Sequence, residues 1–274
     1  MLTISILTPT YNRNFFLCHV LSRLISLQTY DLKKVEWIII DDSEDEYGDK
    51  TDFFKTHPLH QRLHTLRYIY LSKKLTIGHK RNICKSLALG DYLVHMDDDD
   101  FYSEKYLELV HYIFQNTTED IVGASRISLV FAHSPYLYEN SPILGQYHTC
   151  GGIMSYRRDY ALQNHYNNFN TCAEERDFLN GFFTPIFQIH ESFRYNVALC
   201  HATNTVDKKR VKVTESHHTW LDHVFDDEII IYYLFIYEKH IEELLKIGKY
   251  RQIILEVIEN TIRKQTSEKS DDPL

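Results

Sequence analysis

No two cysteines stand at CxxC spacing: Cys18, Cys84, Cys150, Cys172 and Cys200 are scattered along the chain. That excludes a zinc ribbon and a complete disulfide framework, and a reducing cytoplasm suits such a chain. Long apolar runs are missing as well. The longest, Ile229 to Tyr237 ("IIIYYLFIY"), falls far short of the ~20 residues of a membrane-spanning helix and reads as buried helix. Basic charge is in deficit. The formal net charge is -8 at pH 7 and the basic clusters "DKKR" and "SKK" are short, which argues against nucleic acid as a partner held through its phosphates. The opening "MLTISILTPT" has neither a basic n-region nor a small-residue cleavage site, so a signal peptide is not expected. Internal repeats and low-complexity linkers are absent too.

What is present is globular. Hydrophobic residues make up 43% of 274, with 20 Tyr and 15 Phe, enough to bury a substantial core in one large α/β domain or a domain with an appendage. "ISIL", "VEWIII", "LRYIYL" and "DYLVHM" read as strands, with helical spacing in "NFFLCHVLSRLISLQ" and "TIGHKRNICKSLALG". In the latter, Ile83, Leu87 and Ala88 share a face and Gly90 suits the helix C-terminus. Strands alternating with helices predict parallel pairing, hence a doubly wound sheet over the first hundred residues. Such sheets bind ligands at the carboxyl ends of their strands. "TPTYNR", "DDSED" and "DDDD" each follow a strand and are therefore expected along one edge.

Beyond Ser103 the pattern turns mixed. A helix to about Gln115 is followed by a strand near "DIVGASRISLVF", a proline-containing loop to about Gln146 and a strand in "TCGGIMSYRR". A helix is then expected in "CAEERDFLNGF", short strands at "PIFQIH" and "YNVALC", helices over 226–245 and 247–264, and a frayed polar tail.

The run Asp97, Asp98, Asp99 and Asp100 demands an explanation. Two carboxylates about 5 Å apart repel by roughly 3 kcal/mol at an effective dielectric near 20, but by under about 1 kcal/mol in open water. A solvated acidic loop, with Asp100 or Ser103 capping the next helix, is the plain reading. At the rim of a cleft, partial burial makes a divalent cation the expected companion, and phosphate oxygens commonly complete the shell of such a cation. Arg13 and Arg81, near loop-to-helix starts, suit the same anion, or else pair with Asp41 or Asp42. Tyr11 could stack on a base or simply pack.

"TPTYNR", "IIIDDSED", "GHKRNICKSLALGDYLVHMDDDD" and "AEERDF", in this order, together resemble glycosyltransferase family 2, nucleotide-sugar transferases of the GT-A fold. The resemblance covers residues 3 to 102 well and 148 to 183 more loosely. "AEERDFLNGFFTPIFQIH" with "HATNTVDKK" also looks like transferases encoded by large DNA viruses, which would place the protein in a host cytoplasm. The implied fold is α/β, a Rossmann-like doubly wound mixed sheet flanked by helices. Residues 1–215 would be the catalytic domain (1–102 nucleotide-sugar-binding half, 103–215 acceptor half), 216–264 a C-terminal helical extension and 265–274 a flexible tail.

The resemblance also implies roles. Pro9, Thr10 and Tyr11 would contact the nucleoside, Asp41 or Asp42 would hydrogen-bond the base, and Arg81 would lie near the ribose and diphosphate. Asp97 and Asp99 match the outer carboxylates of the DxD motif, the first contacting ribose and the last ligating Mn²⁺ or Mg²⁺. Asp98 and Asp100 are surplus. His201 could add a metal ligand, with His217, His218 and His223 as alternatives, and Lys208 or Lys209 could reach the diphosphate. Glu175, with Glu174 beside it, matches the acidic motif that removes the acceptor proton. Here it departs from the commoner Glu-Asp pair by one methylene, and an exposed helix start favouring acids is the competing explanation.

The expected activity is metal-dependent inverting transfer of a sugar from a nucleoside diphosphate, UDP by default, to a hydroxyl of a glycan or glycoconjugate. A nucleotidyltransferase would want a glycine- and lysine/arginine-rich phosphate loop after the first strand, and "TPTYNR" offers none. A non-catalytic module with a calcium-binding or solvated acidic surface would be indifferent to Glu175. The aromatic helix with Tyr232, Tyr233, Phe235 and Tyr237 is read as core first, then as a homodimer interface or membrane-surface contact.

Overall fold

The structure, a computed structural model, describes residues 1–44, 49–131, 136–140, 147–171, 173–200, 204 and 213–219. Among these a seven-stranded sheet runs in the order β10 (Ile186–Gln188), β6 (Ile121–Gly123), β9 (Ser155–Arg157), β4 (Tyr92–His95), β1 (Ile4–Thr10), β2 (Val35–Asp41) and β3 (Thr65–Tyr70). Strands β1, β2, β3 and β4 are its parallel half. All seven residues of β1 and of β2 are buried, as expected of central strands covered on both faces. The two-residue period then sorts side chains into two cores. Ile4, Ile6, Trp37, Ile39 and Val94 join one; Leu7, Ile38, Ile40 and Leu93 join the other.

The connections hold the helices. A wide π turn (Phe16–Leu21) leads into α1 (Ser22–Ser26); α2 (Thr51–Thr56) and α3 (Leu59–Arg62) follow β2; α4 (Ile77–Leu87) follows β3. Thr76 caps α4 by accepting from the His79 amide. Gly90 does not end this helix in a left-handed cap as its sequence position predicts. It lies instead against β1, where a Cβ would come within 2.8 Å of the Ile4 carbonyl carbon and the Ser5 amide nitrogen. Gly90→Ala is expected to destabilise the fold by about 1–3 kcal/mol through overpacking against backbone, measured by denaturant unfolding.

After β4 come β5 (Phe101–Tyr102) and α5 (Tyr106–Asn116). The region expected to hold one strand contains two, β6 (Ile121–Gly123) and β7 (Ser128–Phe131). The expected proline-containing loop includes β8 (Tyr136–Asn140). Strand β9 (Ser155–Arg157) pairs antiparallel with both β4 and β6, making the large sheet mixed, and leads into α6 (Arg158–Gln163). A single turn, α7 (Glu175–Phe178), stands where a longer helix was expected. Strands β10 (Ile186–Gln188), β11 (Asn196–Cys200) and β12 (Val213–Thr219) complete the described chain.

A second sheet, β12-β8-β7-β11-β5, was not foreseen from the sequence. Its strand β12 runs through the expected domain boundary at 215 and pairs with β8. Cys172 and residues 220–274, with the expected C-terminal helices, aromatic stretch and tail, lie outside the described residues.

Candidate active site

Strand order places the site. β2 and β3 lie on one side of β1 and β4 on the other, so the chains leaving β1 and β4 diverge and open a crevice at their carboxyl ends. β4 pairs with β1 only as far as Leu7, which leaves Pro9, with no amide hydrogen to donate, beyond the paired edge. The second sheet forms the far wall with Leu129, Asn196 and Ala198, joined by Ile127 just before β7. The resulting cleft of about 300 Å³ brings together Pro9, Thr10, Tyr11, Arg13, Arg81, Asp97, Asp98, Asp99, Asp100, Glu174 and Glu175.

The four aspartates are far from a solvated loop: Asp98, Asp99 and Asp100 are buried. Arg13 NH1 lies 2.9 Å from Asp98 Oδ1 and 2.7 Å from Asp99 Oδ2. Thr10 donates to the second Asp98 oxygen at 2.5 Å. Burial pushes the Asp98 carboxyl up to about 6, against the opposing pull of Arg13. Asp98 and Asp99 together seat Arg13. Asp99 also receives the Asn204 amide at 3.1 Å, and Asp100 the Leu199 backbone N–H at 3.3 Å.

Helix α4 is unusual in burying cations. Lys80 donates to Asp42 at 2.6 Å and to the Thr10 carbonyl at 2.7 Å. Arg81 is fully enclosed: its Nε donates to Glu174 Oε1 at 2.8 Å, its NH1 lies 3.3 Å from Asp97 Oδ1, and NH1 meets His95 Nδ1 at 3.0 Å. Burial alone would lower the Arg81 pKa, but Asp97 and Glu174 raise it well above the ordinary value. Burial, reinforced by Arg81, keeps His95 neutral, well below the usual histidine range.

The expected base contacts are arranged differently. Asp41 accepts from Ser43 and from Tyr68, while Asp42 holds Lys80 and the Leu75 amide; neither lines the cleft. Their position at the carboxyl end of β2 put them beside the crevice in sequence, but buried partners engage both carboxylates. Tyr11 does line the cleft. Lys74 covers one face of its ring, with the ammonium 3.5 Å from the centroid, and its hydroxyl donates to Glu44.

The two glutamates separate cleanly. Glu174 is tied to Arg81, whereas Glu175 has His148 as neighbour, with His148 Nε2 3.9 Å from Glu175 Oε1. Sequence reasoning missed His148, Lys80 and the pair Gly151 and Gly152. A Cβ on Gly152 would come 2.6 Å from Asp100 Oδ2 and 3.2 Å from Asp97 Oδ2, so glycine is what lets the carboxylates close in. Two adjacent glycines inside an expected strand were the available signal.

A hard cation suits this donor set. Its oxygens are carboxylates, those of Asp97 and Asp100 converge over Gly152, and Asp97 Oδ1 is buried without a hydrogen bond among the described residues. No group of three such ligands is closed among the described residues. His201, Lys208, Lys209 and His223 lie outside them, as do the side chains of His217 and His218, whose backbone belongs to β12. Among the described residues no helix is long and apolar enough to cross a membrane.

Known proteins resemble this chain. A family model described as "Glycosyl transferase family 2" matches residues 5–172. Glycosyltransferase GlyG of Streptococcus pneumoniae is 28% identical over 120 residues, 43% of this chain and 37% of the relative. S. aureus TarS 1-349 in complex with UDP-GlcNAc superposes with a TM-score of 0.58 at 18% identity, covering 74% of this chain and 60% of that one. Mannosyltransferase PcManGT from Pyrobaculum calidifontis, in complex with GDP-Man and Mn²⁺, gives 0.55 at 14% identity, over 74% of this chain and 58% of that one. The chain thus spans less than two thirds of the length of each of these relatives, and the structural likeness is one of fold.

Proposed function

Given that the chain belongs to glycosyl transferase family 2, we propose that it is a metal-dependent inverting glycosyltransferase, taking a sugar from a nucleoside diphosphate to a hydroxyl of a glycan or glycoconjugate. A UDP-sugar is the favoured donor. The GT-A fold places the crevice, and its charge carries the reading. Six carboxylates, Asp97 to Asp100 with Glu174 and Glu175, face three cations, Arg13, Lys80 and Arg81. A diphosphate would be repelled from such a cleft unless a divalent cation entered with it. The relatives solved with UDP-GlcNAc and with GDP-Man and Mn²⁺ agree with that pairing.

Asp99, with Asp97 and Asp100 nearby, would hold Mn²⁺ or Mg²⁺, which supplies Lewis-acid neutralisation of the leaving diphosphate. The chain's own groups do the rest. Glu175 takes the proton of the acceptor hydroxyl as general base, because Glu174 is already committed to Arg81. Arg81 holds Glu174 and Asp97 in fixed positions, and Arg13 is the cation within reach of the aspartates that can turn to a diphosphate once a metal replaces it. Pro9, Thr10 and Tyr11 form the nucleoside side of the cleft.

Calorimetric titration of UDP, GDP, UDP-GlcNAc and GDP-Man, with and without Mn²⁺, tests this reading. One nucleotide is expected to bind with Mn²⁺ and to be lost without it. Asp99→Ala should weaken that binding by roughly 10- to 100-fold, the worth of one charge-assisted contact. Binding that ignores both Mn²⁺ and Asp99 would sink the metal-dependent donor site.

A further inference from the structure

The cleft holds a histidine that none of the donor chemistry uses. His148 lines it and is 5% exposed, yet its Nδ1 is buried with no hydrogen-bond partner among the described residues. Its Nε2 faces Glu175 Oε1 at 3.9 Å. A distance of this size is common for catalytic pairs before substrate arrives, and it shortens when the site fills.

The backbone that carries the imidazole is held from several directions, and the ring itself is packed. Gln188 donates to the His148 carbonyl at 2.9 Å and accepts from the Ser125 amide at 2.9 Å. The next residue, Thr149, is fully buried, accepts from the Ala124 amide at 3.0 Å, and occupies space that a Cβ on Gly123 would take, 2.1 Å from its Oγ1. Cys150 N–H donates to the Ala124 carbonyl at 2.9 Å. The Phe182 ring packs on the imidazole, centroids 5.4 Å apart. Phe182 does so from a left-handed backbone at φ 67°, a conformation that a bulky residue keeps only when its surroundings enforce it. Burial also lowers the His148 pKa, which favours the neutral ring with a hydrogen on one nitrogen.

A glutamate has one more rotatable bond than an aspartate, and a general base must be oriented to act. We propose that His148 is the positioning residue for Glu175, its Nε2–H fixing one carboxylate oxygen so that the other faces the acceptor hydroxyl. The proposal rests on Glu175 as general base.

Two measurements test it. In ¹⁵N spectra of the imidazoles, the His148 signal, identified by its loss in His148→Gln, is expected to shift its tautomer balance in Glu175→Gln. An unchanged signal overturns the contact. In turnover of the nucleotide sugar that binds, read as nucleoside diphosphate release, His148→Phe keeps the ring packing and should lower kcat by about 10- to 100-fold with donor affinity unchanged. His148→Gln, which returns an N–H donor, should recover most of the loss. In a Glu175→Ala background His148→Phe should have no further effect. An equal loss in both backgrounds, or none in either, overturns the proposal. Full turnover in Glu175→Ala with the spectral coupling intact would instead refute the assignment of Glu175 as base.

Discussion

Glu175→Ala is expected to lower the rate of sugar transfer by about 10²- to 10⁴-fold, the usual worth of a general base, with donor and metal binding unchanged. The separation follows from geometry. Glu175 contributes to the cleft from α7, where His148 Nε2 lies 3.9 Å from its Oε1. The neighbouring substitution should behave differently. Glu174→Ala removes the partner of a buried guanidinium 2.8 Å away, so it should cost stability as well as activity. Steady-state kinetics beside thermal unfolding of both variants checks the contrast. If Glu175→Ala transfers sugar at the parent rate, the base lies elsewhere.

Arg81→Met is expected to destabilise the protein by about 3–5 kcal/mol, because it leaves the buried Glu174 and the half-buried Asp97 carboxylates without their cation. For a domain of this size that corresponds to a fall in Tm on the order of 10 °C. Arg81→Lys should recover little. One ammonium cannot reproduce a fork whose Nε serves Glu174 while NH1 meets His95 and NH2 serves Asp97. Nucleotide binding in the presence of Mn²⁺ should fall with it, since Asp97 loses its anchor. A Tm unchanged in Arg81→Met would show that the carboxylates find other compensation.

Several features were legible before any coordinates. Four strands, α4 and the convergence of "TPTYNR" and "DDDD" follow from alternation and spacing along the chain. Ser5 and Glu36 show where such legibility stops. They are polar residues in fully buried strands, joined to each other at 2.6 Å, and Glu36 also engages Arg67, a pairing no hydrophobic pattern announces. The same holds on α4. Its apolar positions Ile83 and Leu87 were readable as a packed face, but Lys80, Arg81 and Lys85 are buried more deeply.

The sequence by itself determined the parallel half of the sheet and the edge at which a ligand would sit. Those depend on short apolar runs and on strand-to-helix alternation, both of which act between near neighbours in the chain. Tertiary structure decided which acid pairs with Arg81, that Asp41 and Asp42 meet Tyr68 and Lys80, and that His148 faces Glu175. Apart from the local bonds of Ser43 to Asp41, those outcomes rest on contacts between residues about 27 to 93 positions apart, such as Arg81 with Glu174 and Asp41 with Tyr68. A buried charge must take whichever partner the folded chain brings within reach, and nothing local to it specifies that partner.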